Sequence, residues 1–207
     1  MKINDTQGVQ NILICGIGGQ GVVLAGKIIG AAAFESGLDI KKSEVHGMSQ
    51  RGGSVSTHIR FGEKIFSPLI PKYAASTILS FDIYETLRYV KNFANNKTVV
   101  ISSDYGMMPL WTSKNKNDKL GNGPITAENI SNALRIEFKY LHLVNNKKIA
   151  ANLGNIKVSN IVSIGLLSNY TDIEKEIWLG VIRQNVPEKT VNLNLKAFLI
   201  GRNEGNK

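Results

Sequence analysis

The chain has 207 residues, 43% of them hydrophobic and 20% charged, enough apolar side chain for a sizeable core in a single domain over 1–207. Its formal net charge is +9, but the lysines are scattered and often sit beside asparagines, as at Asn96-Lys97 and Asn145 to Lys148. That leaves room for a phosphate-bearing ligand or an acidic protein and gives no basic stripe for nucleic acid.

Cys15 is the sole cysteine. An internal disulfide is excluded, as is a four-cysteine iron–sulfur cluster held by this chain alone. The first residues lack the apolar core of a signal peptide, and no apolar run approaches the ~20 residues of a membrane span. The expectation is a cytoplasmic protein with no membrane and no nucleic acid among its partners.

Residues 9–15 read as a strand ending in a short apolar run, suited to a sheet covered on both faces. Gly16-Ile17-Gly18-Gly19-Gln20-Gly21 follows at once. Residues 22–34 are apolar and rich in small side chains, a helix built to pack closely on a sheet, with Gly37 as its stop. Strand, glycine-rich turn and helix make the first half of an α/β unit. Residues 38–45 form a second strand and 54–61 a third, with the β-branched and aromatic content of a sheet. A tight turn at 62–64 leads to a return strand beginning at Ile65 and Phe66, cut short by Pro68 and Pro71.

Residues 76–80 and 97–102 are buried strands. Between them, 82–93 shows helical apolar spacing at Ile83, Leu87, Val90 and Phe93, with Asp82 as N-cap. Residues 104–124 are polar and read as a long loop. Thr126 caps a helix reaching Lys139, 140–144 is a short strand, and helices at 156–170, 172–184 and 187–201 close the chain. The pattern predicts an α/β fold, a three-layer α/β/α Rossmann-like domain with a mostly parallel or mixed sheet.

Two stretches carry chemistry. Gly16 to Gly21 has the form G-x-G-x-x-G between strand and helix, where glycines permit a tight turn and a helix N-terminus attracts anions. A dinucleotide site adds an acidic residue ~20 positions on, and Asp39 and Glu44 stand near that distance. The same loop serves as a phosphate contact or a subunit contact, with Gly16, Gly18, Gly19, Gln20 and Gly21 as its residues. The second stretch, 43–61, sets Glu44, His46, Gln50 and Arg51 ahead of Gly52-Gly53 and a strand. It is a polar surface turn or a functional loop on a rigid scaffold. As a functional loop it binds an anion through Gln50, Arg51, Gly52 and Gly53, because arginine offers a bidentate fork for phosphate or carboxylate. His46 is the candidate catalytic residue, since imidazole titrates near neutrality.

Other patterns fail. Gly21 to Ile28 lacks the Ser or Thr of a P-loop, and its Gly26 and Lys27 fall inside the helix. Gly47 to Gly52 misses G-x-S-x-G by one residue. His46, His58 and His142 lack metal-ligand spacing, so no metal site is expected, and His58 reads as an ordinary half-buried strand residue.

Taken in order, NILICGIGGQGVVLAGKIIG and SEVHGMSQRGGSVSTHIRFG resemble the gamma-type catalytic domain of 2-oxoacid:ferredoxin oxidoreductases, the pyruvate/ketoisovalerate group. Within it they look most like the small (beta) subunits of indolepyruvate ferredoxin oxidoreductases. Val45 to Gly53 reads VHGMSQRGG where pyruvate-type relatives carry S-Y-G-P-E-x-R-G-G. Residues 192–198 resemble the family's end, so the resemblance covers nearly the whole chain; 104–123 matches least.

The resemblance implies an enzyme that oxidatively decarboxylates a 2-oxoacid, an aryl pyruvate such as indolepyruvate, to an acyl-coenzyme A and sends electrons to ferredoxin. This chain lacks a G-D-G thiamine–magnesium motif. The resemblance therefore places thiamine diphosphate, magnesium and iron–sulfur clusters on a larger partner subunit, with coenzyme A as co-substrate and this chain inactive alone. Two other readings stand beside it: a stand-alone Rossmann-type dinucleotide-binding oxidoreductase, and a non-catalytic docking subunit.

Overall fold

A computed structural model of the chain describes residues 8–46, 52–107 and 125–205. Its centre is a six-stranded sheet of β1 (Gln10–Ile17), β2 (Asp39–His46), β3 (Ser54–Gly62), β4 (Thr77–Ser80), β5 (Val99–Ser103) and β6 (Leu141–Val144). Their spatial order is β2-β3-β1-β4-β5-β6. β1, β4, β5 and β6 run parallel, and β3 lies antiparallel between β1 and β2. The sheet is therefore mixed. The described helices are α1 (Val22–Glu35), α2 (Ile83–Phe93), α3 (Ala127–Glu137), α4 (Asn146–Asn152), α5 (Ser159–Leu167), α6 (Lys175–Asn185) and α7 (Val191–Glu204).

The period of two along β1 sorts the core into two layers. Ile12 and Ile14 join a cluster with Ile28 of α1, Ile161 of α5, Trp178 of α6 and Phe198 of α7. Leu13 and Cys15 join one with Ile83 of α2 and Leu134 of α3. Because both faces are covered, β1 reads as an unbroken apolar run. In the first layer Trp178 stacks on Phe198 with ring centroids 6.1 Å apart. Helices α5 and α7 meet through glycines: a Cβ on Gly165 would stand 2.1 Å from the Phe198 carbonyl oxygen, and one on Gly201 1.8 Å from that of Val162. At the sheet's outer edge, β2 pairs its own charges, Lys41 with Asp39 at 2.9 Å and Lys42 with Glu44 at 2.8 Å.

The caps follow from local chemistry. Asp82 accepts from the Tyr84 amide at 3.0 Å, and Thr126 from that of Asn129 at 3.1 Å. Four features depart from expectation. β1 runs on through Gly16 and Ile17. Ile65 and Phe66 are not strand, because Asp39 captures the Ile65 amide at 2.8 Å. α3 ends at Glu137, with the Phe138 amide bonded to Leu134. The short helix α4 was not foreseen; Asn145 caps it through the Lys148 amide at 3.0 Å. Most of the expected loop at 104–124 lies outside the described residues. Among the described residues no helix is long and apolar enough to cross a membrane.

His58 is 6% exposed rather than half-buried, and its Nδ1 accepts from the Ile70 amide at 3.3 Å. Burial lowers the pKa of His58, and of His142, from the ordinary 6.5. An unfolded chain takes up protons near pH 6.5, whereas the native histidines resist until lower pH. Their contribution is full above about pH 6.5 and is lost as pH falls through the native values. The urea midpoint should therefore be lower at pH 5.5 than at pH 7.5, and His58→Gln should flatten part of that slope. An unchanged slope would remove His58 from the account.

Candidate functional site

Parallel strands open a crevice at their carboxyl ends, where loops and helix starts converge. Here the segments after β1, β4 and β6 meet the start of α5 around a cleft of about 370 Å³. Asp82, fully buried, organises one wall. Besides capping α2, its carboxylate accepts from the Met107 amide at 2.8 Å and from Gln20 Nε2 at 3.3 Å. Gln20 in turn accepts from the Ile17 amide at 2.8 Å through Oε1. One carboxylate thus joins the segments following β1, β4 and β5. Glycine is required at 106, since a Cβ there would fall 2.6 Å from Asp82 Oδ1.

The opposite wall is set by Asn146. It accepts from Ser103 Oγ at 3.1 Å and donates to Ser163 Oγ at 3.0 Å. The next residue, Lys147, places Nζ 3.6 Å from the Tyr105 ring centroid, a cation–π contact. Burial lowers the Lys147 pKa and the charge of Asp82 opposes that shift. Lys157 lines the same cleft. Helix α1 opens onto it from Gly21, at φ +85°, with no side-chain cap, so its first amides lack helical acceptors. Asn160 stands against Gly21, with Nδ2 3.5 Å from the Gly21 carbonyl oxygen and Oδ1 buried with no protein partner. Two lysines among the lining residues, an open helix start and an amide oxygen suit a ligand that is anionic and also carries a hydrogen-bond donor.

Of the first glycine loop, Gly19, Gln20 and Gly21 line the cleft. Gly18 donates its amide to the Gly53 carbonyl at 2.9 Å, so both glycine stretches meet at the carboxyl end of β1. Gly16 belongs to β1, where a Cβ would meet Gln20 Oε1 at 2.8 Å. Gly52 takes φ +72°, as a glycine can. Beyond Gly53, the Ser54 hydroxyl bonds the buried Glu85 carboxylate, whose other oxygen accepts from Arg88 Nε at 3.1 Å. His46 ends β2 opposite Val55. Gln50, Arg51 and the side chain of His46 lie outside the described residues.

The dinucleotide reading loses its acidic partner. β3 separates β1 from β2, and both acidic candidates lie on β2 at the far edge, where Lys41 and the Ile65 amide engage Asp39 and Lys42 pairs with Glu44 at 2.8 Å. Sequence reasoning missed Lys147, Lys157 and Asn160, and took Asp82 only as a cap. No motif marks them, and only the chain's path brings them to Gly19–Gly21.

Residues 11–204 match the family model for pyruvate ferredoxin/flavodoxin oxidoreductase. The chain belongs to this family. It is 36% identical to an indolepyruvate oxidoreductase subunit, IorB, of Thermococcus kodakarensis over 92% of this chain and 93% of that protein. The IorB of Pyrococcus horikoshii is 36% identical with the same coverage of both chains. The fold is that of the gamma subunit of a keto/oxoacid ferredoxin oxidoreductase from Geobacter sulfurreducens, at TM-score 0.69, 22% identity and coverage of 95% and 98%. It also matches part of a 2-oxoglutarate:ferredoxin oxidoreductase from Magnetococcus marinus, solved with 2-oxoglutarate, coenzyme A and succinyl-CoA bound. There the TM-score is 0.72 at 16% identity, over 97% of this chain and 32% of that one. This pyruvate ferredoxin/flavodoxin oxidoreductase chain is thus of the small-subunit type. The membership favours the 2-oxoacid oxidoreductase reading over both the stand-alone dinucleotide-binding oxidoreductase and the non-catalytic docking subunit.

Proposed function

We propose that the chain is the small subunit of a 2-oxoacid:ferredoxin oxidoreductase acting on indolepyruvate or another aryl pyruvate, and that its cleft receives the phosphates of coenzyme A. The reaction oxidatively decarboxylates the 2-oxoacid to an acyl-coenzyme A and passes the electrons to ferredoxin. The geometry supporting this is the convergence of Lys147, Lys157 and the uncapped start of α1 on one cleft. The indolepyruvate preference is supported by relatives: IorB subunits match at 32–36% identity, 2-oxoglutarate synthase subunits at 26–28%.

Cluster chemistry does not fit this chain. Its single cysteine, Cys15, is fully buried and its thiol is pushed up to about 12, chiefly by burial. In this reading thiamine diphosphate, magnesium and the iron–sulfur clusters sit on the larger subunit, and the small subunit alone is inactive. The complex works in the cytoplasm. Lys147 and Lys157 hold phosphate, the α1 amides orient it, and Asn160 accepts from a hydroxyl or amine of the same ligand. Arg51 adds a bidentate anion contact from the second glycine loop, with Gln50, Gly52 and Gly53 beside it. His46 is the candidate proton donor there.

In the reconstituted complex, Lys147→Met should raise the KM for coenzyme A by about ten- to a hundred-fold, the worth of one charged hydrogen bond, with kcat and assembly kept. Methionine retains the apolar stem while removing the charge. An unchanged KM in a normally assembled complex would refute the phosphate role.

A further inference from the structure

The excursion between β3 and β4 turns three large apolar side chains to solvent: Phe66 is 85% exposed, Leu69 53% and Tyr73 59%. Its backbone is nevertheless fixed. Ile65 and Ile70 are buried anchors. Their amides donate to Asp39 and His58, and Arg60 Nη1 donates to the carbonyls of Ser67 at 3.0 Å and Leu69 at 3.4 Å. Tyr73 donates its amide to the Asn92 carbonyl at 3.0 Å and accepts from Asn95 Nδ2 at 2.6 Å. These bonds hold Tyr73 at φ +58°, the only non-glycine residue among those described to take positive φ. That conformation is unfavourable for a bulky side chain, and strain of this kind gathers at functional surfaces. Single exposed apolar residues need no explanation; three within eight residues of one pinned excursion, the last of them at a strained φ, do.

We infer that this excursion is the docking surface for the larger subunit, through an apolar patch ringed by carboxylates on that partner. The partner's identity rests on the function proposed above. The charge of the excursion selects the occupant. From Arg60 to Tyr73 the chain carries Arg60, Lys64 and Lys72 against one carboxylate, Glu63. Lys64 Nζ stands 5.3 Å from the Phe66 ring centroid. A second copy of this chain, meeting the patch about a twofold axis, would set like charges against each other. An acidic rim complements them. Rigid aromatic anchors lose little freedom on docking, which concentrates binding energy in them. The excursion leaves β3 beyond Gly62 and enters β4 at Thr77, at the amino end of β1 and so at the opposite end of the sheet's strands from the cleft, and docking here leaves the cleft open.

The test titrates this chain into the purified larger subunit of the same enzyme by calorimetry. Phe66→Ser and Tyr73→Gly should each raise Kd by about tenfold or more. Tyr73→Gly separates docking from folding, because glycine adopts positive φ freely, so its melting temperature should match or exceed the parent's. Lys64→Glu with Lys72→Glu should weaken binding further and reverse its salt dependence. Variants that bind as the parent does would overturn the docking surface and leave the proposed function standing. A parent chain that does not bind the larger subunit would overturn both. Sedimentation showing a dimer of this chain that Tyr73→Gly abolishes would replace the partner with a second copy.

Discussion

Gly201→Val should lower the unfolding free energy by at least about 3 kcal/mol, a large share of the roughly 5–15 kcal/mol that holds a domain folded. The Cβ at this position would lie 1.8 Å from the Val162 carbonyl oxygen and 2.7 Å from its carbon. On the facing helix, a Cβ on Gly165 would stand 2.1 Å from the Phe198 oxygen and 2.9 Å from the Arg202 nitrogen. These are backbone atoms, which cannot swing aside as a side chain can. Helices α5 and α7 would have to separate, opening the layer that contains Trp178 and Phe198, both fully buried. Gly165→Val should act alike. Gly180, in α6, is the control: a Cβ there meets nothing within 4 Å, so Gly180→Ala should gain about 0.5–1 kcal/mol from helix propensity. Urea melts of the three variants decide the matter, and equal midpoints for Gly201→Val and the parent would defeat it.

The first glycine loop should divide in two when a side chain is added. At Gly21 both conformation and space object. Its φ is +85°, and a Cβ would stand 2.3 Å from Asn160 Nδ2 and 3.2 Å from Asn160 Cγ. Asn160 is itself buried. Gly21→Val should therefore cost about 2–4 kcal/mol of stability, from left-handed strain and overpacking together. Adding Asn160→Ala should return part of that loss, because it clears the collision. At Gly19 φ is +99° but nothing stands within 4 Å. Gly19→Ala should cost only the conformational part, about 1–2 kcal/mol. A methyl there projects into open space beside the cleft, so the KM for coenzyme A should rise in the assembled enzyme. If Gly19→Ala leaves that KM unchanged, close approach of a ligand to this loop is wrong. If Gly21→Val melts with the parent, the collision is wrong.

Much of the scaffold was legible because local rules agreed with the global fold. The run at 12–15 is apolar at every position because helices cover both faces of β1, and the caps at Asp82 and Thr126 announce themselves chemically. The reversed direction of β3 was not read, although a clue existed. Only seven residues separate His46 from Ser54, too few for the crossover that parallel neighbours require. Ile65 and Phe66 looked like strand by residue type, but a carboxylate on β2 claimed the amide that a ladder would use. Helix α4 is too short to display a period. The cleft was half legible. Its glycines follow a local pattern, whereas Lys147, Lys157 and Asn160 arrive from the far end of the chain, and a long-range meeting leaves no local mark.

The ends of the sheet bear on how such a subunit survives before it is assembled. A strand with one side unpaired is a template on which further chains can stack and precipitate. β2, at one edge, pairs opposite charges two residues apart along its own length, Lys41 with Asp39 and Lys42 with Glu44. β6, at the other, is only four residues long. Neither offers a long, uncharged strip for edgewise pairing, so a chain released from the ribosome ahead of its partner is guarded against edge-to-edge aggregation while it waits.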